Sequence, residues 1–499
     1  MSTGLAQAAR GMLTGRPGRA RWTALAAVAA TAVVAVLVRL PLIGLPLDSD
    51  EGGYALVAHR WAAGATLYSA GAWVDRPPGL VLVFRWVDAL AYSPLGLRVA
   101  SAVAAAVLAV GAAAASWALA GRRAAVVTGL LTAVVLAGPW LQGYELNGEL
   151  LAAALAAWAV ALALWWRAGS LPAIWLAVAG LLAGSAPLMK QSGIDAVVVV
   201  LLVAALSPRR TRTLTLAAAG AAVPLGLVVV LATLGGWSRW WFALVGSETQ
   251  LSAGQPVGYR IGSMLFGALL AAPDTVGLAL AAAAGVAMSW SDRRAVWPGL
   301  LWAAAAVFGA CLGPFGHPHY WVQAVAPAAV LAGLVVPRLR LLAPDLRRFG
   351  VAVLATAAVL PLVGQAVVLS RPSDQRTSVL TKDPVVSANV TVASWLDAHT
   401  RPQDQVFALV AGAALYLQAD RSTSFPYLWY GNVEHVSGAI PLLRSWLASR
   451  SGPRYVVVYQ NPDEVDPTGA LLRVLEKHYL RVGRAAGYDV LERRMSPGA

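Results

Sequence analysis

A chain of 499 residues that is 58% hydrophobic, with a mean hydropathy of +0.64, stands well above the roughly 45–50% apolar share of soluble domains. That excludes a water-soluble globular protein. Charged residues make up only 12%, and the formal charge of +14 comes from arginines set between apolar runs, so membrane topology accounts for it and nucleic acid is excluded as a partner.

Residues 1–21 are expected to form a cytoplasmic N-terminal tail, carrying Arg10, Arg16, Arg19 and Arg21. The apolar run behind them is long and many others follow, which favours a retained first helix over a cleaved signal peptide. Runs near the ~20 residues needed to cross a bilayer recur from Trp22 to Ser370. About eleven spans are expected, centred near residues 32, 108, 131, 158, 180, 200, 224, 281, 305, 328 and 359. Their Ala, Val and Leu bias suits helices whose small residues let neighbours pack closely. Every second connection is basic: Arg122-Arg123, Arg167, Arg209-Arg210-Arg212, Arg293-Arg294, then Arg338, Arg340, Arg347 and Arg348. The positive-inside rule places these in the cytoplasm and residues 48–54, 142–149, 237–260 and 313–320 on the other side. The single Cys311 excludes an intrachain disulfide and is expected as a small buried residue inside a span.

The first outward segment, 44–94, is long. Its DSDEGGY stretch, 48–54, puts three carboxylates into four consecutive positions of an apolar chain. Behind it, Tyr54, Val57, Ala58 and Trp61 fall at helical spacing with Gly64 at the expected end, which predicts a short helix lying along the outer membrane surface. Gly52-Gly53 then need only permit a tight entry into that helix, and Asp48 is expected as a solvated loop residue. In VDRPPGL, 74–80, two prolines predict an extended turn.

Residues 371–499 have ordinary polarity and no span, so an extracytoplasmic soluble α/β domain is expected there. Helical runs at 392–399, 440–449 and 470–479 alternate with the strand-like QVFALV, RYVVVYQ and YDVLERR. The aromatics of FPYLWYG, Tyr427, Trp429 and Tyr430, suit either a packed core or stacking on sugar faces.

Polar residues at membrane depth are expensive, so five outward groups stand out. They are Asp48, Asp50 and Glu51; Asp75-Arg76; Glu145, Asn147 and Glu149 in QGYELNGEL; Lys190 in LMKQSG; and His317, His319, Tyr320 and Gln323 in GHPHYWVQ. Each alone has an ordinary explanation, such as a charged surface loop, or snorkelling for Lys190. Their convergence on one face favours chemistry.

DEGGYALVAHRWAAGATLY followed by VDRPPGL resembles the Asp-Glu-x-x-Tyr, Gly-x-x-Leu-Tyr and acid-base-Pro-Pro pattern of the polytopic GT-C glycosyltransferases. That family includes protein O-mannosyltransferases and the aminoarabinose transferases that modify lipid A. HYWVQAVAP resembles the family's later His/Tyr and Pro segment, while Arg76 stands where a lysine often precedes Pro-Pro. The resemblance implies a GT-C-like catalytic domain over 22–370 and transfer of a sugar from a polyprenyl-phosphate donor to a glycan, lipid or protein hydroxyl outside the plasma (inner) membrane. It assigns catalysis to Asp50 with Glu51 as partner, and makes Asp75 and Arg76 flank the donor phosphate. Glu145, or alternatively Glu149, matches a second acidic site. Arg76, Lys190 and Arg260 are the candidate phosphate cations. A divalent cation (Mg, Mn or Zn) is compatible with Asp75, Glu145, Glu149 and His319 but not demanded. Two other classes stay open, a lipid or sugar transporter or flippase, and a non-catalytic scaffold.

Overall fold

The computed structural model describes residues 19–313, 315–381 and 383–494. Most of the expected tail, with Arg10 and Arg16, lies outside them; residues 19–21 already belong to the Arg19–Leu37 helix. A helix lies over each of the eleven expected positions. Among the described residues six are long and apolar enough to cross a membrane: Pro94–Ala120, Gly148–Arg167, Arg210–Gly235, Val257–Ser289, Pro318–Arg338 and Pro344–Leu369. Three shorter apolar helices, Ala26–Leu42, Trp175–Leu188 and Asp195–Ala205, accompany them. The chain is a multi-pass membrane protein.

The bundle interior is built largely of alanine, including Ala104, Ala105, Ala157, Ala326 and Ala329, with Leu108, Val160 and Val330 between them. Small residues let backbones touch: a Cβ on Gly180 or Gly184 would collide with the carbonyls of Ala217 and Ala221 on the Arg210–Gly235 helix.

The long first loop folds into two helices. Asp48 opens the Ser49–Ala62 helix as its N-cap, accepting from the Asp50 amide at 3.0 Å while Glu51 accepts from the Asp48 amide at 3.2 Å, a reciprocal capping box. The helix ends before Gly64, whose φ of +101° suits a residue without Cβ. The expectation of a surface-lying helix is corrected: Glu51 to Ala58 are all buried, and Tyr54 faces protein on the side assigned to the membrane. A second helix, Pro78–Ala91, follows the prolines; Pro77 is extended and Pro78 takes the first helical position, where its missing N–H costs nothing. The sequence reading continued the turn here and missed this helix.

The C-terminal part carries four strands, β1 (Val406–Ala408), β2 (Tyr455–Val458), β3 (Tyr479–Ala485) and β4 (Tyr488–Arg493), in the order β1-β2-β4-β3. The β1/β2 pair is parallel and the others are antiparallel. The strand-like runs at β1, β2 and β4 are strands. β3 was not expected: its helix stops at His478, and Ala486 and Gly487, at φ +49° and +88°, form the two-residue turn into β4. This unit shares a core with the first loop, where Tyr54, Leu56, Val57, Leu80 and Val81 pack with Val392, Leu396, Leu415 and Leu428.

The glycine pair makes that contact possible. A Cβ on Gly52 would run into the backbone of Ala414, and one on Gly53 into the indole of Trp429. Both glycines lie within the helix, so they serve close approach rather than a turn. Cys311 is corrected as well: it follows the Arg293–Ala310 helix as an exposed C-cap.

Candidate active site

The start of the Ser49–Ala62 helix, the VDRPP turn, the 315–320 segment and residues 379–381, 383 and 429–432 enclose a cavity of about 560 Å³. Asp48, Asp50, Asp75, Arg76, Gln142, His317, His319 and Tyr320 are among its walls. A second cavity of about 310 Å³, lined by Lys190, Gln191 and Glu248, shares Arg76 and Tyr320 with the first.

Asp50 is half-buried and reaches the first cavity. One turn later the Tyr54 hydroxyl donates to it at 2.9 Å and accepts from Arg76 Nε, also at 2.9 Å. Arg76 Nη1 pairs with Asp75 at 3.0 Å and with Glu248 at 2.7 Å. Asp75 in turn accepts from the Asn432 side-chain amide at 2.9 Å, and its carbonyl accepts from Gln191. The acid-base pair of VDRPP is thus held from three distant parts of the chain.

Glu51 points the other way. Its carboxylate, 1% exposed, meets Arg98 Nη1 at 2.6 Å and accepts from the Leu146 amide at 2.9 Å. It clamps the helix to Pro94–Ala120 and to the turns before Gly148, and it does not line the cavity. Its place is behind Asp50.

Glu149 is paired with Lys190 at 2.8 Å, and the Lys190 ammonium lies 4.4 Å from the centre of the Tyr320 ring. Burial works against the Lys190 charge, but Glu149 beside it keeps the pKa above the ordinary value. His319 sits between Gln142, at 3.2 Å, and the carboxylates of Glu145 and Glu149, at 3.9 and 4.0 Å, with His317 stacked on it. The His317 pKa is lowered, by desolvation first. Burial, and then the charges of Asp48 and Glu51, push Glu145 well up. Arg260 is not part of the cluster; it is half-buried and donates to the Leu312 carbonyl at 3.3 Å.

Asp48 is no solvated loop residue. It caps the helix, lines the cavity, and is raised to about 7 by burial and by the neighbouring Asp50. Of the expected metal donors, His319 lies near Glu145 and Glu149, while Asp75 is turned to Arg76 and Asn432 and Glu149 is paired with Lys190; among the described residues no group of three His, Cys, Asp or Glu side chains is set to hold a metal ion. Of the aromatics left open, Tyr427 packs edge-on against Trp73 and Phe425, whereas Trp429 and Tyr430 line the cavity.

Residues that sequence reasoning missed are Tyr54 in its bridging role, Arg98, Glu248 and Asn432. Only Arg98, a lone cation near the start of an apolar helix, carried a local signal.

A helix bundle whose first long loop carries these acids, covered by a small α/β unit, is the GT-C fold. ArnT from Cupriavidus metallidurans bound to undecaprenyl phosphate has it with a TM-score of 0.65 at 15% identity, over 96% of this chain and 99% of that one. The Archaeoglobus fulgidus oligosaccharyltransferase AglB with an inhibitory peptide and dolichol-phosphate gives 0.52 at 15% identity, covering 96% and 74%. The oligosaccharyltransferase of the same organism in complex with Zn and sulfate gives 0.50 at 14%, covering 93% and 72%. At these identities the likeness is one of fold. No family model matches the chain, and no curated protein matches it in sequence.

Proposed function

We propose that the protein is a membrane glycosyltransferase that moves a sugar from a polyprenyl-phosphate donor to an acceptor hydroxyl on the outer face of the plasma membrane. The observation that carries this is the single hydroxyl of Tyr54, hydrogen-bonded at 2.9 Å both to Asp50, which lines the larger cavity, and to Arg76, which lines both. A carboxylate and a guanidinium are thereby fixed on either side of one small space.

In this reading the acceptor oxygen attacks the anomeric carbon as the bond from that carbon to the phosphate oxygen breaks. The acceptor proton passes to Asp50, which faces the larger cavity. The electron pair leaves with the polyprenyl phosphate, whose charge meets Arg76 and Lys190 at the smaller cavity. Asp75 and Glu248 orient Arg76, Asn432 orients Asp75, and Glu51 with Arg98 holds the helix that carries Asp50. No step is routed through a divalent cation, because among the described residues no group of three His, Cys, Asp or Glu side chains is set to hold one. Support comes also from the two fold neighbours bound to undecaprenyl phosphate and dolichol-phosphate.

The topology of this proposal has eleven crossings over 22–370, the N-terminus in the cytoplasm and residues 371–499 outside as a domain over the site. A transporter needs ionisable side chains along a path through the membrane. Asp195 and Asp274 are buried in helices, but Trp302 Nε1 binds one at 2.7 Å and the Leu141 amide the other at 2.8 Å, and neither lines these cavities. The test is incubation of the protein in membranes with radiolabelled polyprenyl-phosphate sugars. Consumption of at least one is expected and its loss in Asp50→Asn; consumption of none overturns the proposal.

A further inference from the structure

The two cavities differ in charge, and the difference bears on the acceptor if the transferase reading holds. Among the described residues the larger cavity is lined by four carboxylates, Asp48, Asp50, Asp75 and Asp383, against the one guanidinium of Arg76. That guanidinium is already engaged by Asp75 and Glu248 and sits at the boundary. Lys190 stands on the far side, in the smaller cavity. Cations are therefore gathered where a phosphate would leave, and acids where an acceptor would enter.

The acids feel one another. Besides burial, the charges of Asp50, Glu51 and Asp383 hold the Asp48 carboxyl up to about 7, and Glu145, raised by burial and by Asp48, stands close by. A phosphate or carboxylate brought into this space adds a like charge beside these acids, so it is repelled. An ionised carboxylate accepts hydrogen bonds, and a carboxyl raised to about 7, as that of Asp48 is, also donates one when it holds its proton; both match the hydroxyls of a sugar. The rings of Trp140, Tyr320, Trp429 and Tyr430 line the same walls, and apolar ring faces suit the C–H face of a sugar. A peptide would fit less well, because each of its carbonyls requires a donor and these walls are rich in acceptors.

We propose that the acceptor received by the Asp50 cavity is an uncharged glycan, with its hydroxyls on the carboxylates and a sugar face on Trp429 or Tyr430, and that phosphorylated or uronate-bearing glycans are refused by charge.

The test offers the full chain, in membranes with a labelled donor that it consumes, three kinds of acceptor. These are neutral tetrasaccharides (mannose-, arabinose- and glucose-based), their phosphate monoesters, and a Ser/Thr peptide of similar length. At least tenfold higher kcat/KM is expected for a neutral tetrasaccharide than for its phosphate monoester. That ratio should shrink threefold or more in Asp48→Asn with Asp383→Asn. Should the double variant not fold, the ratio in the unaltered protein should shrink likewise as salt rises from about 0.05 to about 0.5 M. Equal or better use of the phosphate monoesters, or use of the peptide alone, overturns the inference while leaving a glycosyltransferase. If no donor is consumed the transferase reading fails by itself, and saturation-transfer NMR then decides the inference without turnover. Binding of a neutral tetrasaccharide in preference to its monoester supports it, and the reverse, or no binding, overturns it.

Discussion

The phenol of Tyr54 donates a 2.9 Å hydrogen bond to the carboxylate of Asp50, one helical turn earlier. Because the same oxygen accepts from Arg76, the proposed base and the proposed phosphate-binding cation are tied through one atom. Asp50→Asn is expected to lower transfer roughly 100- to 10,000-fold, the usual weight of a general base. Tyr54→Phe removes the tie but neither charge, so it should raise the donor KM and lower kcat less than Asp50→Asn does. Steady-state kinetics with labelled donor separate the two.

Glu51 and Arg98 form an ion pair whose side chains are only 1% and 3% exposed. Removing one partner strands the other charge in the interior, at a cost of about 3–5 kcal/mol. Glu51→Gln and Arg98→Leu are each expected to lower the thermal midpoint in detergent, and the double variant to lose less than their sum. Full stability in either single variant would contradict the clamp.

Gly52→Ala places a methyl group against the backbone of Ala414, which cannot rotate away as a side-chain end could. A destabilisation of about 1–3 kcal/mol or more follows, concentrated between the first-loop helix and the C-terminal unit. Gly53→Ala meets the Trp429 indole instead and should also disturb the cavity wall. Limited proteolysis should release a C-terminal fragment sooner in both variants.

Asn432 reaches Asp75 from 357 positions away, at 2.9 Å. Asn432→Ala should leave the protein folded and raise the donor KM several-fold, since Asp75 then orients Arg76 less firmly. Asn432→Asp sets a second carboxylate beside Asp75 and should do more harm. Equal, unaltered KM values would remove Asn432 from the positioning role.

Asp48 has its folded-state pKa raised from 3.8 to about 7, by burial first and then by Asp50. A raised carboxyl holds its proton more tightly when folded, so between these values the folded state binds more protons than the unfolded one. Stability therefore falls as pH rises from about 4 to about 7 and levels off above. The step belongs to the group of Asp48, Glu145 and their neighbours rather than to one residue. Asp48→Asn keeps a good helix cap and should flatten that part of a plot of thermal midpoint against pH.

The membrane-spanning pattern and the acids of DSDEGGY and VDRPP were legible because both are local. Transfer energy is summed along a run of neighbours, and a charge in an apolar chain is conspicuous wherever it falls. The helix at Ser49–Ala62 was legible too, but not the face it buries, since Tyr54 and Trp61 look the same against lipid as against protein. The Pro78–Ala91 helix went unseen because a proline pair signals a turn as readily as a helix start.

The sequence by itself determined that this is a multi-pass helical protein with acids gathered beyond its first apolar run, through hydropathy and charge spacing alone. Only the tertiary structure decided which acid faces the cavity and which is locked away. Glu51 finds Arg98 47 positions on, Arg76 finds Glu248 172 positions on, and Asp75 finds Asn432 further still. Adjacent residues on a helix point about 100° apart. Asp50 and Glu51, adjacent in the sequence, therefore meet different surroundings: the folded chain turns one to the cavity and the other to Arg98.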